Sequence, residues 1–352
     1  MYWTRWTFTL PLMALLAVPF AEGDDKKADD KKPEPTPPRK IVRLNKKAFN
    51  KLVPKKAAVE TIARGYIWTE GVAWNRQGNF LVWSDIPHNV VHKWEEGKDV
   101  TVFVKSSGYT GKTPRGGKPG DEPGSNGLRF DIDGRLTLCE HGDRRVTRIE
   151  KDGKKTVLAD NYMGKKFNSP NDLVYHSNGD LYFTDPPYGL PKHYDDPARE
   201  LDFCGVYLRK KDGKIILLTK EMSRPNGIEL SPDEKTLYVA NSDPASPIWK
   251  SFPVKDDGTL GEGRIFADGT KWFKDKRPGL PDGMKVDVDG NLWATGPGGV
   301  WVFSPSGEVL GNIDTGTNTA NVCFGGPDGS TLYIAANHDI CRVRTLTKGK
   351  GF

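Results

Sequence analysis

A six-bladed β-propeller is the all-β fold that this sequence predicts, and three observations predict it. Six gap-free units align on a short turn: EGVAWNRQG, NGLRFDIDG, NDLVYHSNG, NGIELSPDE, DGMKVDVDG and NVCFGGPDG. Each unit is followed by further strand-like runs, giving about four strands per 50 residues, the repeat expected of propeller blades. The composition agrees: 39 glycines, 26 prolines and 10 tryptophans in 352 residues favour turns and strands over helices. No helical 3.6-residue periodicity of useful length competes with this pattern.

The chain opens with Arg5 as its only early charge, then the apolar run Leu10 to Phe20, then Ala21 before a polar stretch. That order is a secretory signal peptide over residues 1–21, and it places the protein outside the cytoplasm, secreted or periplasmic. The apolar run is shorter than the roughly 20 residues of a membrane span, so the mature protein is expected to have none. Residues 22–40 hold six acidic and six basic side chains and four prolines. Such a segment cannot bury enough apolar surface to offset chain entropy, so a disordered linker is expected over 22–50. The propeller then occupies 51–352.

Aspartate or asparagine precedes glycine at Asp133-Gly134, Asn178-Gly179, Asp289-Gly290 and Asp328-Gly329, with Gln77-Gly78 and Asp233-Glu234 at the same place in the other two units. These pairs suggest type I′ hairpins, in which both central residues take positive φ. The second strands are FLVWSD, LTLCEH, LYFTDP, TLYVAN, LWATG and TLYIAAN. The last unit ends after about three strands. AVETIA, residues 58–63, can supply its fourth and close the ring, which removes exposed sheet edges.

Cys139, Cys204, Cys323 and Cys341 show no CxxC spacing, so a zinc site is not expected and free buried thiols are. A formal net charge of +6 over 352 residues is too dilute for a nucleic-acid binder. A small molecule is the expected partner, and a monomer or a dimer the expected assembly.

In a propeller the first strand of each blade lines the central channel, so the residues opening those strands converge on one mouth. Here they are Glu70, Asn126, Asn171, Asn226, Asp282 and Asn321. Taken singly, Asn-Gly and Asp-Gly pairs are ordinary turn formers. Six oxygen donors at one repeat position say more, and Glu70 is a poor turn former. Two carboxylates with several amide carbonyls suit a hard divalent cation. Ca²⁺ fits best, with Mg²⁺, Mn²⁺ or Zn²⁺ as alternatives.

The segments TEGVAW, SPNDLV, RPNGIELSPDEKTLYVAN and LPDGMKVDVDGNLWAT resemble the regucalcin and gluconolactonase family of six-bladed propellers, from about Ala58 to Thr347. The resemblance implies a divalent cation held by Glu70, Asn226 and Asp282, with Asn171 as a further ligand or a binder of substrate and water. It also implies hydrolysis of sugar lactones. Asp282 is then the residue placed to accept the water's proton, and Asn126, Asn171 and Asn321 face the substrate. A second circle at the ends of the second strands, Asp85, Glu140 with His141, Asp185 and Asn241, adds His141 and Asp185 as substrate contacts. An arginine that holds the sugar in animal members is replaced here by Ser169. Hydrolysis of phosphotriesters or aryl esters at the same cation site, and a non-enzymatic binding propeller, are the alternatives. The Gly-rich insertion 108–124, carrying Lys112 and Arg115, is expected to be a mobile flap over the mouth.

Overall fold

The computed structural model describes residues 38–352, so the expected signal peptide (1–21) and the first part of the expected linker (22–37) lie outside the described residues. Six antiparallel blades follow one another along the chain, five of four strands and the fifth carrying an added fifth strand, with strand order running in sequence within the first four. The innermost strands are Thr69–Asn75, Ser125–Phe130, Leu173–Tyr175, Pro225–Leu230, Met284–Val286 and Asn321–Gly325. They coincide with the six aligned units. The ring closes as expected: Glu60–Arg64 pairs antiparallel with Asp339–Arg344 and becomes the outer strand of the sixth blade. Among the described residues, no helix is long and apolar enough to cross a membrane.

Each blade buries both faces against its neighbours, so the inner three strands read as apolar runs rather than strict alternations. Trp83, Trp249, Trp293 and Trp301 are fully buried between blades, and Trp272 stacks on Trp301 with centroids 3.6 Å apart. The four cysteines are buried and unpaired.

The turns differ from the type I′ expectation. In the second unit the amide of Gly134 donates to Asp131 O (3.0 Å), a four-residue turn centred on Ile132 and Asp133. Gly134 has φ +74°, but Asp133 does not enter the left-handed region. This is a type I turn closed by one left-handed residue, with a slight bulge that lets the twisted strands meet. Gly179, Gly290 and Gly329 follow suit, and Glu234 takes the same role at φ 59°. In the first unit the left-handed residue is Asn79, one place after Gly78.

A second correction concerns the expected linker. Lys40–Arg43 is a strand added to the outer edge of the fifth blade, in register with Gly311–Asp314. After it comes a short helix, Lys46–Phe49, capped by the Asn45 side chain accepting from the Ala48 amide (3.0 Å). Phe49, Leu52 and Val53 are buried in a cluster with Trp293, Val300 and Ile313. Gly311 makes room for this anchor, since a Cβ there would lie 2.4 Å from the Phe49 ring. The charged stretch before residue 40 masked a strand whose backbone partners lie some 270 residues away in sequence, on an otherwise open edge.

Phe49→Ala is therefore expected to lower stability by about 3–5 kcal/mol. A urea midpoint unchanged from the parent would show that the 38–57 segment is an ornament and not part of the core.

Candidate active site

The six ring positions converge as the repeat register predicts. Asn171 is fully buried, and Glu70, Asn126, Asn226 and Asn321 are each at most 5% exposed. Solvent still reaches Asp282 from one side. A bulge follows the ring residue in the first, second and fourth blades, where strand register shifts between Glu70 and Ala73, Ser125 and Leu128, Pro225 and Ile228. It turns the ring side chain inward at the top of the strand while the strand below continues its pairing.

Hydroxyls of the second strands tie adjacent blades together just beneath the ring. Ser84 Oγ donates to Asn126 O (3.0 Å), Thr184 Oγ1 to Asn226 O (2.7 Å) and Thr295 Oγ1 to Ala320 O (3.0 Å). The ring residues are thus held from the backbone side. Their side chains are linked too, each amide donating onward: Asn126 Nδ2 to Asn171 Oδ1 (3.0 Å), Asn171 Nδ2 to Asn226 Oδ1, Asn226 Nδ2 to Ser242 Oγ (2.9 Å). Asn321 Nδ2 donates to Glu70 Oε2 (3.1 Å), which also takes the Gly71 amide (2.8 Å).

This ordering separates the four residues expected to hold a cation. Asn171 Oδ1 lies in reach of two donors, Asn126 Nδ2 and His141 Nε2 (3.2 Å), so both its lone pairs are engaged. Asn226 Oδ1 keeps one free. Asn171 thereby fits the role of an orienting residue better than that of a ligand. Asn321 likewise turns to Glu70, and its own Oδ1 accepts from the Val322 amide (2.9 Å).

Asn126 Oδ1, Asp172 Oδ2 and Asp282 Oδ1 are buried acceptors without any donor among the described residues. Neither Glu70, Asp172 nor Asp282 forms an ion pair among the described residues. Three carboxylates at one channel mouth with no ion-pair partner are costly unless neutralised. Burial pushes Glu70 up to about 8, and burial together with the Glu70 charge pushes Asp282 well above the usual carboxylate range. Among the described residues, no three His, Cys, Asp or Glu side chains converge closely enough to hold a metal on their own. Any cation here would rely on the amide oxygens as well. The donor set, all oxygen and net anionic, fits a hard divalent ion.

Two residues of this mouth were not foreseen. Asp172 fills the place that glycine occupies after the ring residue in four of the other units. Its position in a repeat alignment was the available signal. Glu122 comes from the 108–124 insertion and its Oε2 lies 3.1 Å from Nδ1 of the fully buried His141. That insertion is tethered rather than free: Gly117 N donates to Pro87 O (2.8 Å), Gly124 N to Ile86 O (3.0 Å) and Arg115 Nη2 to Gly189 O (2.7 Å). Arg115 is committed to this contact and stands over the Tyr109 ring, 4.9 Å from its centroid.

The expected second circle divides. Asp85 accepts from the Ile67 and Trp68 amides and contacts His88 Nδ1 (2.7 Å). Glu140 is held by Arg145, Thr147 and Lys155, the last at 2.6 Å. Asn241 bonds the Arg224 amide and Ser246 O. These three brace loops. Ser169 also braces: its hydroxyl donates to Pro186 O (2.6 Å) and accepts from the Gly189 amide (2.9 Å). Asp185 Oδ2 accepts from the Asn168 amide (2.8 Å), its Oδ1 is unpartnered, and burial raises it to about 7. Only His141 of this circle reaches the ring.

Glu70, Asp185 and Asp282 each hold a proton in the folded protein at pH values where the unfolded chain has lost it. The unfolded state then binds fewer protons, so stability falls as pH rises from about 4.5 towards 8. Urea unfolding of chelator-treated protein at pH 5, 6.5 and 8 checks this, and a midpoint rising across that window would refute it.

Residues 68–338 match the SMP-30/gluconolactonase/LRE-like region. A gluconolactonase of Zymomonas mobilis is 42% identical over 296 residues, covering 83% of this chain and 82% of the relative. The solved structure of a gluconolactonase from Xanthomonas campestris is 31% identical, with a TM-score of 0.74 over 88% of this chain and 98% of that one. A calcium-binding regucalcin from Agrobacterium tumefaciens shares the fold at 19% identity, TM-score 0.64, over 84% of this chain and 96% of that one.

Proposed function

The chain belongs to the SMP-30/gluconolactonase/LRE-like family, and from that premise we propose that it hydrolyses a sugar lactone, with a divalent cation at the acidic mouth of its channel and Ca²⁺ the first candidate. The observation that carries this reading is the group of three carboxylates that form no ion pair among the described residues, Glu70, Asp172 and Asp282, beside the unpartnered oxygen of Asn126. Glu70, Asn226 and Asp282 would hold the ion, which when bound polarises the lactone carbonyl and eases ionisation of water.

The protein's own residues do the rest. Asp282 is the ring carboxylate that solvent still reaches, and its buried Oδ1 takes no donor, so once ionised it is the acceptor for the proton of the attacking water. Asn321 fixes Glu70 Oε2, which keeps that carboxylate aimed across the mouth. His141, with Nε2 3.2 Å from Asn171 Oδ1 and Nδ1 3.1 Å from Glu122 Oε2, orders the amide chain. The backbone hydroxyl ties under the ring keep these groups from relaxing when substrate arrives.

Turnover of glucono-1,5-lactone and other aldonolactones should be lost on chelation and return with Ca²⁺, Mg²⁺, Mn²⁺ or Zn²⁺, whichever is the working ion. The same titration should raise the thermal midpoint, since binding to the folded state alone stabilises it. Full lactonase activity in excess chelator would refute the cation's part. A phosphotriester or aryl ester turned over faster than every lactone would refute the substrate class.

A further inference from the structure

Three places below the ring residues, the innermost strands carry Ala73, Arg129, Val174, Glu229, Lys285 and Phe324. This second ring is charged, and its charges are unequal. Glu229 is buried and accepts from Arg129 Nη2 at 3.0 Å, while Lys285 Nζ stands 4.0 Å away and donates to Met284 O. One carboxylate therefore serves two cations. Below it the channel widens into a cavity of about 870 Å³, at the end away from the acidic mouth. Eight cationic side chains line that cavity against four carboxylates.

Not all of these cations are neutralised locally. Among the described residues, Arg76 donates only to the main-chain oxygens of Lys350 and Gly351, and Arg209 only to those of Leu158 and Lys210. The Lys211 ammonium has no partner among the described residues. Trp74, Phe130, Tyr175 and Phe324 supply apolar wall between them. The volume lies within the range of small-molecule sites, and guanidinium groups with spare N–H donors match a phosphate's oxygens.

The geometry points to a second ligand site at this far end of the channel, one that takes a small organic molecule bearing a phosphate monoester. The phosphate meets Arg76, Arg209 and Lys211, and the organic body lies along the aromatic wall. A bare ion would leave that wall without contact. The site is independent of the lactonase reading, because no residue of the acidic mouth lines it.

Isothermal titration of the full chain with glucose 6-phosphate, AMP, glucose and inorganic phosphate tests this, at low and high salt. At least one of the two esters is expected to bind, about tenfold or more tighter than inorganic phosphate, with glucose silent and affinity falling at high salt. Which ester binds tells a sugar phosphate from a nucleotide. Arg76→Gln and Lys211→Gln should each weaken binding by about tenfold or more. Lys211 is exposed, so its variant tests the site even if Arg76→Gln folds poorly. Asp282→Asn should bind the ester as the parent does. No binding of either ester, equal binding of inorganic phosphate, or loss of binding in Asp282→Asn with retention in Lys211→Gln would each overturn the proposal.

Discussion

Asp282→Asn is expected to fold like the parent and to lose about 10²–10⁴-fold in lactone turnover, the range that a positioned proton acceptor contributes. Asparagine keeps the shape of the side chain and one oxygen, so packing at the mouth is preserved. What it removes is the negative charge and the basic lone pair. The backbone of this position is held independently of its side chain: Asp282 N donates to Thr295 O (3.1 Å), and Ser242 Oγ donates to Pro281 O. The substitution also deletes a buried carboxylate oxygen that has no donor. At pH 8 and without added cation the variant should therefore be at least as resistant to urea as the parent. Loss of activity with retained stability is the signature of a group used in the reaction. Activity within a few-fold of the parent would remove Asp282 from the chemistry. Loss of both activity and folding would make it a structural residue. Ser169→Ala offers the contrast, because that hydroxyl only joins Pro186 O to the Gly189 amide and its loss should act through loop position.

The blades and the ring were legible in the sequence for one reason: both are set by the same repeat. A turn, a ring residue ten places before the second strand, and an apolar run between them recur six times. The channel mouth follows from that register without any knowledge of distances. What did not repeat was not legible. Lys40–Arg43 joins the fifth blade alone, so no alignment of units could place it, and the neighbouring run of charges argued the other way. Glu122 reaches His141 only because the 108–124 insertion folds back on Pro87 and Ile86, contacts with no local sequence signal. The direction of the amide chain from Asn126 to Ser242 is likewise a property of packing. It decides that Asn171 is engaged twice while Asn226 is not, and identical letters in the sequence could not distinguish them.

Asp172 shows how close the two kinds of information lie. Its letter breaks the glycine pattern that follows the ring residue, and the structure gives the exception a consequence, a third carboxylate at the acidic mouth. Lys285 and Arg129 lie near enough to pull Asp172 back towards ionisation, though burial still leaves it raised. The channel is thus graded, acidic at the ring and basic three residues below. A cation at the top and an anion at the bottom are the ligands that such a gradient favours.

Gly71→Ala tests the joint between fold and site most severely. Gly71 sits at φ +55°, and a Cβ added there would lie 2.0 Å from Asn126 O, a backbone atom of the next blade. The left-handed conformation alone costs an alanine about 1–2 kcal/mol. The clash cannot be relieved by rotating a side chain, because the atom struck is a carbonyl oxygen that already accepts from Ser84 Oγ. Moving it would separate the first two blades at the level of the ring. The expected loss is about 4 kcal/mol or more, in the class of effects seen only where a core is forced apart. Gly153→Ala isolates the two causes, since Gly153 has φ +81° but nothing within 4 Å of its added Cβ. It should lose only the conformational part. Because the Gly71 amide donates to Glu70 Oε2, any Gly71→Ala protein that does fold should also bind cations more weakly than the parent. Urea midpoints of the two variants measured together decide the matter. A Gly71→Ala protein no less stable than Gly153→Ala would mean that the blades are not pressed together at the ring, and the rigidity on which the proposed site depends would go with it.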